Sequence, residues 1–135
     1  MNFERHSGEA TILPYKKTAS TAFANGDPVV QTNGLLVVAN ASATPQTVLG
    51  IIQRDVVSTD DDYADANDVM VEVPDVGTVY KAKVGAGTPA QSMVGQRYDL
   101  DANGEVNLTA QTTKVVEVVR LAQESGYIYV TFPTT

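Results

Sequence analysis

Gly95-Gln-Arg-Tyr-Asp-Leu-Asp-Ala-Asn-Gly-Glu-Val-Asn107 decides the fold class. Two short segments, Arg97–Leu100 and Glu105–Leu108, flank Asn103-Gly104. Asn-Gly between alternating segments is the strongest local hairpin signal, because both residues tolerate positive φ. Downstream, Lys114–Ala122 and Tyr127–Phe132 read as two longer strands joined by Gln123-Glu-Ser-Gly126. Upstream, Val29–Thr32 and Leu35–Ala39 surround Asn33-Gly34, a second hairpin of the same kind.

The rest of the chain agrees. Phe23–Pro28 is a turn, with Pro28 starting the next strand. Val48-Leu-Gly-Ile-Ile-Gln53 is a continuous apolar run, which predicts a strand buried on both faces, and Gly50 within it predicts a bulge or a close backbone approach. Val69–Val73 and Val79–Val84 are further strands. In the second, Val79, Lys81 and Lys83 share one face while Tyr80, Ala82 and Val84 share the other. Thr88–Val94 suits one helical turn, capped by Thr88 with Pro89 at its first position. No segment keeps a helical apolar stripe over three turns. The expected fold is all-β: a small barrel or sandwich of roughly eight to ten short antiparallel strands.

Residues 1–17 look different. Met1–Gly8 is polar, and the short apolar run Ala10-Thr-Ile-Leu13 stops at Pro14. Arg5, Lys16 and Lys17 against Glu4 and Glu9 leave this head at +1, so the rest of the −7 chain carries −8. The expected organisation is an extended arm over residues 1–17 and a single β domain over 18–135. The arm is either a frayed terminus or a segment that orders on a partner by strand addition, with Ile12, Leu13 and Phe3 as anchors.

Composition excludes several functions. With no cysteine, disulfides and thiolate metal sites are impossible. The acidic balance argues against direct nucleic-acid binding, which needs Lys and Arg to neutralise phosphate. No apolar run approaches a membrane span, and the amino terminus lacks the apolar core of a secretory signal. Asp99, Asp101 and Asn103 before Gly104 match the first half of a calcium loop, but its twelfth position is Ala110 rather than Glu and the flanks read as strands. Asp60, Asp61, Asp62, Asp65 and Asp68 form an acidic loop, read as solvated rather than metal-binding. His6 is the only histidine, with no packed partner for a triad. Six scattered tyrosines make no stacking platform, although Tyr127 and Tyr129 face one way. An enzyme is not expected, and neither a metal nor a cofactor.

The order of features resembles a known family: Gly26-Asp-Pro28, a short hairpin, Leu49-Gly-Ile51, an acidic loop, Val94-Gly-x-x-Tyr-Asp-Leu-Asp101 with Asn-Gly, then Val115-Val-Glu-Val-Val119. This is similar to the capsid decoration, or cement, proteins of tailed bacteriophages, over about residues 18–135. The resemblance implies a barrel or tulip-like domain, made in the host cytoplasm and carried on the outer surface of the expanded head. There it clamps neighbouring major capsid subunits, commonly as a homotrimer, with no cofactor. An N-terminal arm adds a strand to capsid protein, a role that falls here on Phe3, Ala10, Thr11, Ile12, Leu13 and Tyr15. The alternative is a secreted or surface-displayed β-sandwich that binds sugar or calcium.

Overall fold

The structure is a computed structural model that describes residues 1–133. It is all-β. The strands are β1 (Phe3–Ser7), β2 (Ala10–Lys16), β3 (Pro28–Thr32), β4 (Leu35–Val38), β5 (Val48–Ile52), β6 (Asp68–Pro74), β7 (Val79–Ala86), β8 (Arg97–Leu100), β9 (Val106–Asn107), β10 (Val116–Leu121) and β11 (Tyr127–Thr131).

They form two sheets. The first runs β1-β7-β11-β10-β8-β9, and β9 returns to pair in parallel with the end of β7, closing a five-stranded ring with β1 added outside it. The second runs β2-β6-β5-β3-β4 and all its pairings are antiparallel. It too comes near closure, through one parallel bridge between Lys17 and Leu36. Closing a sheet on itself removes the exposed edges that an open sheet presents.

The turns behave as their residues require. Thr32 pairs with Leu35 across a two-residue loop in which Asn33 (φ 53°) and Gly34 (φ 81°) are both left-handed, the geometry of a type I′ hairpin. Asp99 pairs with Asn107 and Leu100 with Val106 around the Asn103-Gly104 turn, and β10 pairs with β11 around Gln123–Gly126. Gly50 does both things expected of it: the β3–β5 register slips beside it, and a Cβ there would lie 2.2 Å from the Glu72 carbonyl oxygen. The single helical turn is a 3₁₀ turn over Gln91–Met93, later than expected and without a side-chain cap. Met93 and Val94 pack against the first core, which fixes where the turn sits.

There are two cores. One is centred on Phe3, Tyr80, Leu100, Val116, Ile128 and Val130, the other on Phe23, Val29, Leu36, Ile52, Val56 and Val71. Adjacent residues of β5 point into different cores, Ile51 into the first and Ile52 into the second. This is why Val48–Gln53 lacks alternation. Between the sheets the Tyr80 hydroxyl donates to Glu72 Oε1 at 2.9 Å, and Arg5 Nε lies 3.4 Å from the same oxygen. Burial and the adjacent Glu72 carboxylate together push the Tyr80 phenol far up.

The head is extended, as expected, but it is not separate. β1 pairs with β7, and β2 pairs with β6 over its whole length. Phe3 is 1% exposed and packs against Tyr80 and Phe132, with ring centroids 6.2 and 5.3 Å away. Its N–H donates to the Gly26 carbonyl at 2.9 Å, while the Asn2 amide reaches Asp27 and the Asn103 carbonyl. The division into an arm and a body is therefore replaced by two sheets that each take one strand from residues 1–17. Phe3 is a core residue and is not available to anchor a partner. Truncating it in Phe3→Ala should cost about 3 kcal/mol by loss of burial and a residual cavity, read as a lower urea midpoint at unchanged slope.

Candidate binding edge

β2 is the terminal strand of the second sheet, and its hydrogen-bonding parity can be read directly. Lys17 N–H donates to the Asn67 carbonyl at 3.0 Å and Asp75 N–H donates to the Glu9 carbonyl at 3.1 Å. Both fall in the β2–β6 register, so residues 11, 13 and 15 also direct their backbone groups at β6. Ala10, Ile12, Pro14 and Lys16 direct theirs outward. Beside Lys17 that outer side meets β4, where Thr18 N–H donates to the Leu36 carbonyl at 3.2 Å. β4 begins only at Leu35, so Ala10–Pro14 run past its start, and among the described residues no strand lies on their outer side.

This free edge carries apolar side chains. Ile12 is 50% exposed and Leu13 40%, and Met70, directly opposite Pro14 on β6, is 46% exposed. Ile12, Pro14 and Met70 share one face. Leu13 lies on the other, opposite buried Val71, at the rim of the second core. Tyr15 is half-buried and packs against that core. Of the residues expected to make an arm, the structure thus brings Ala10, Ile12 and Leu13 together on an accessible edge. Thr11 is exposed but its backbone is committed to β6, and Phe3 and Tyr15 serve the interior.

The edge is also guarded. Proline in a sheet is confined to positions whose missing N–H would face solvent, and Pro14 occupies such a position. Lys16 follows it, 3.5 Å from Asp68. A proline and a lysine on an edge strand both discourage indiscriminate pairing with other chains.

The other candidates resolve into structural devices. Lys17 is fully buried, and its ammonium donates to the carbonyls of Asp62 (2.8 Å), Tyr63 (3.3 Å) and Asp65. Arg54 Nη2 donates to both oxygens of Asp62 at 2.8 and 2.9 Å, and the Asn67 amide adds a third bond at 2.7 Å. The acidic loop is therefore folded around cations supplied by the protein itself. Among the described residues no cluster of three or more acidic or histidine side chains is arranged to hold a metal. Lys17 was the residue that sequence reading missed. Its signal was parity, since it follows Tyr15 on the face of β2 that packs toward the second core.

Asp99 and Asp101 do not converge. Asp99 is buried and accepts the N–H groups of Thr113 and Lys114 at 2.8 and 2.9 Å; desolvation alone would raise its pKa, and the backbone donors outweigh it and lower it. Asp101 turns the hairpin by accepting the N–H groups of Asn103 and Glu105 at 2.8 and 3.0 Å. His6 lies on the outer face of the first sheet, with Nε2 2.7 Å from Arg120 Nη2 and its ring 4.5 Å from that of Tyr129. Tyr127 and Tyr129 do face one way, outward, each under a cation: Lys81 at 4.6 Å and Arg120 at 4.5 Å from the ring centroids.

In comparisons with known proteins, no family model and no curated protein matches this chain.

The hydrogen bonds from Arg54 and then Asn67 hold the Asp62 carboxyl at about 2, below its ordinary 3.8. The unfolded chain takes up this proton near the ordinary value and the folded chain only near 2. Asp62 thus contributes its full stabilisation above about pH 4 and loses it as pH falls toward 2. Urea melts across that window should show a steep loss for the native protein and a shallower one for Arg54→Met, whose Asp62 titrates closer to normal.

Proposed function

We propose that this protein is a structural binding module, a head decoration protein that sits on the outer surface of an expanded bacteriophage capsid and clamps neighbouring major capsid subunits. The observation that carries the reading is the outer edge of β2, which no strand among the described residues covers at Ala10–Pro14, with Ile12, Leu13 and Met70 exposed along it. An extended segment of capsid protein adds there as a further strand. Main-chain bonds to Ala10 and Ile12 supply affinity, and the apolar side chains supply specificity. Strand addition here runs in the opposite sense to an arm that leaves the body, since β2 stays in its own sheet and receives the partner.

Other features support the same role. Two closed or nearly closed barrels, joined through β5 and the Tyr80–Glu72–Arg5 contact, form a stiff clamp. The net charge of −7 opposes non-specific aggregation and contact with packaged nucleic acid. The resemblance of residues 18–135 to decoration proteins supplies the choice of partner and favours a homotrimer. Several edges presented to one shell then gain by multivalency. The alternative of a calcium-binding module is disfavoured by the engagement of Asp62 with Arg54 and Asn67, and of Asp99 and Asp101 with backbone N–H groups.

The test is co-sedimentation with expanded, undecorated heads of the phage that carries this gene, beside unexpanded procapsids. Saturable binding to expanded heads only is expected. The double variant Ile12→Asp/Leu13→Asp, changed at exposed positions, should keep its fold and bind at least about tenfold more weakly, as loss of central apolar contacts does at protein interfaces. Equal binding by the variant would remove β2 from the interface, and no binding of native protein to either particle would remove the capsid.

A further inference from the structure

The chain holds three Asn-Gly pairs, Asn25-Gly26, Asn33-Gly34 and Asn103-Gly104, and the structure treats them unequally. In an Asn-Gly sequence the glycine nitrogen can attack the asparagine Cγ. The side-chain amide leaves as ammonia and a cyclic succinimide forms. Water then opens the ring at either carbonyl, giving aspartate or isoaspartate. Glycine allows this because no Cβ obstructs the approach. The attacking nitrogen must still be free and the loop able to rotate.

Two of the pairs are blocked. Gly26 is buried and its N–H donates to the Ile52 carbonyl at 2.9 Å, while Asn25 N–H is held by Asp55 at 2.8 Å. Gly104 is buried against Pro28 and Ala39, its N–H donates to the Asp101 carbonyl at 3.2 Å, and Asn103 N–H is held by the Asp101 carboxylate. The third differs in each respect. Asn33 and Gly34 are both exposed, and nothing lies within 4 Å of where a Gly34 Cβ would stand. Among the described residues no acceptor takes the Gly34 N–H. An exposed two-residue hairpin tip belongs to the parts of a fold that open at least cost.

We infer that Asn33-Gly34 is a site of spontaneous, structure-selected modification, deamidating to aspartate and isoaspartate while Asn25 and Asn103 stay intact. Isoaspartate carries the main chain through its side-chain carbon, adding an atom to a two-residue loop that has no slack. The product therefore strains the β3–β4 hairpin, whose second strand closes the second barrel at Leu36.

Ageing the folded protein in warm, mildly alkaline buffer and mapping peptides by mass spectrometry, with an isoaspartyl methyltransferase assay, tests this. Asn33 should be modified about tenfold or more faster than either other site, the ratio expected when local opening is easier by about 1.4 kcal/mol. In urea the three sites should react at similar rates, and Asn33→Asp should remove most of the ammonia released by the folded protein. Comparable rates at all three sites in the folded protein, or a faster reaction at Asn25 or Asn103, would overturn the assignment.

Discussion

The buried ammonium of Lys17 is the contact on which the second barrel depends. It stands at the end of β2, where the chain leaves β6 and meets β4, and it gathers the carbonyls of Asp62, Tyr63 and Asp65. A buried charge without partners would cost several kcal/mol. Three carbonyls meet that need, and in return they shape a loop whose five aspartates would otherwise repel one another. Arg54 completes the arrangement from the other side by clamping Asp62. One lysine thus links barrel closure, the path of the acidic loop and the anchoring of the N-terminal segment.

Much of the fold was legible in the sequence because turns write their own chemistry. Asn33-Gly34 and Asn103-Gly104 turn hairpins where expected, and the alternation in Val79–Val84 places Tyr80 and Ala82 inside. The apolar run around Gly50 was likewise a reliable sign of burial on both faces. What was not legible is the placement of residues 1–17. β1 has one buried side chain, Phe3, so it offers no period to detect. β2 exposes Ile12, Leu13 and Pro14 in succession, because an edge strand at an open seam has little to cover either face. Both strands are held mainly by backbone pairing, which side-chain patterns do not report. The same blindness hid Lys17, a charged residue whose partners are main-chain carbonyls.

The candidate site was half legible for the same reason. The apolar run at Ala10–Leu13 was visible as a possible anchor, but which of its residues reach a partner depends on parity within the sheet. That parity hands Thr11, Leu13 and Tyr15 backbone groups to β6 and turns those of Ala10 and Ile12 away from it. Pro14 limits the open stretch, so the edge can accept a short strand without inviting unlimited stacking.

Residue-resolved amide hydrogen exchange on the free protein addresses this account most directly. The amides of Phe3, Thr11, Leu13, Tyr15 and Lys17 should be protected, while those of Ala10, Ile12 and Lys16 exchange rapidly, an alternation that only an edge strand produces. Uniformly fast exchange from residue 1 to 17 would contradict it and restore a detached arm.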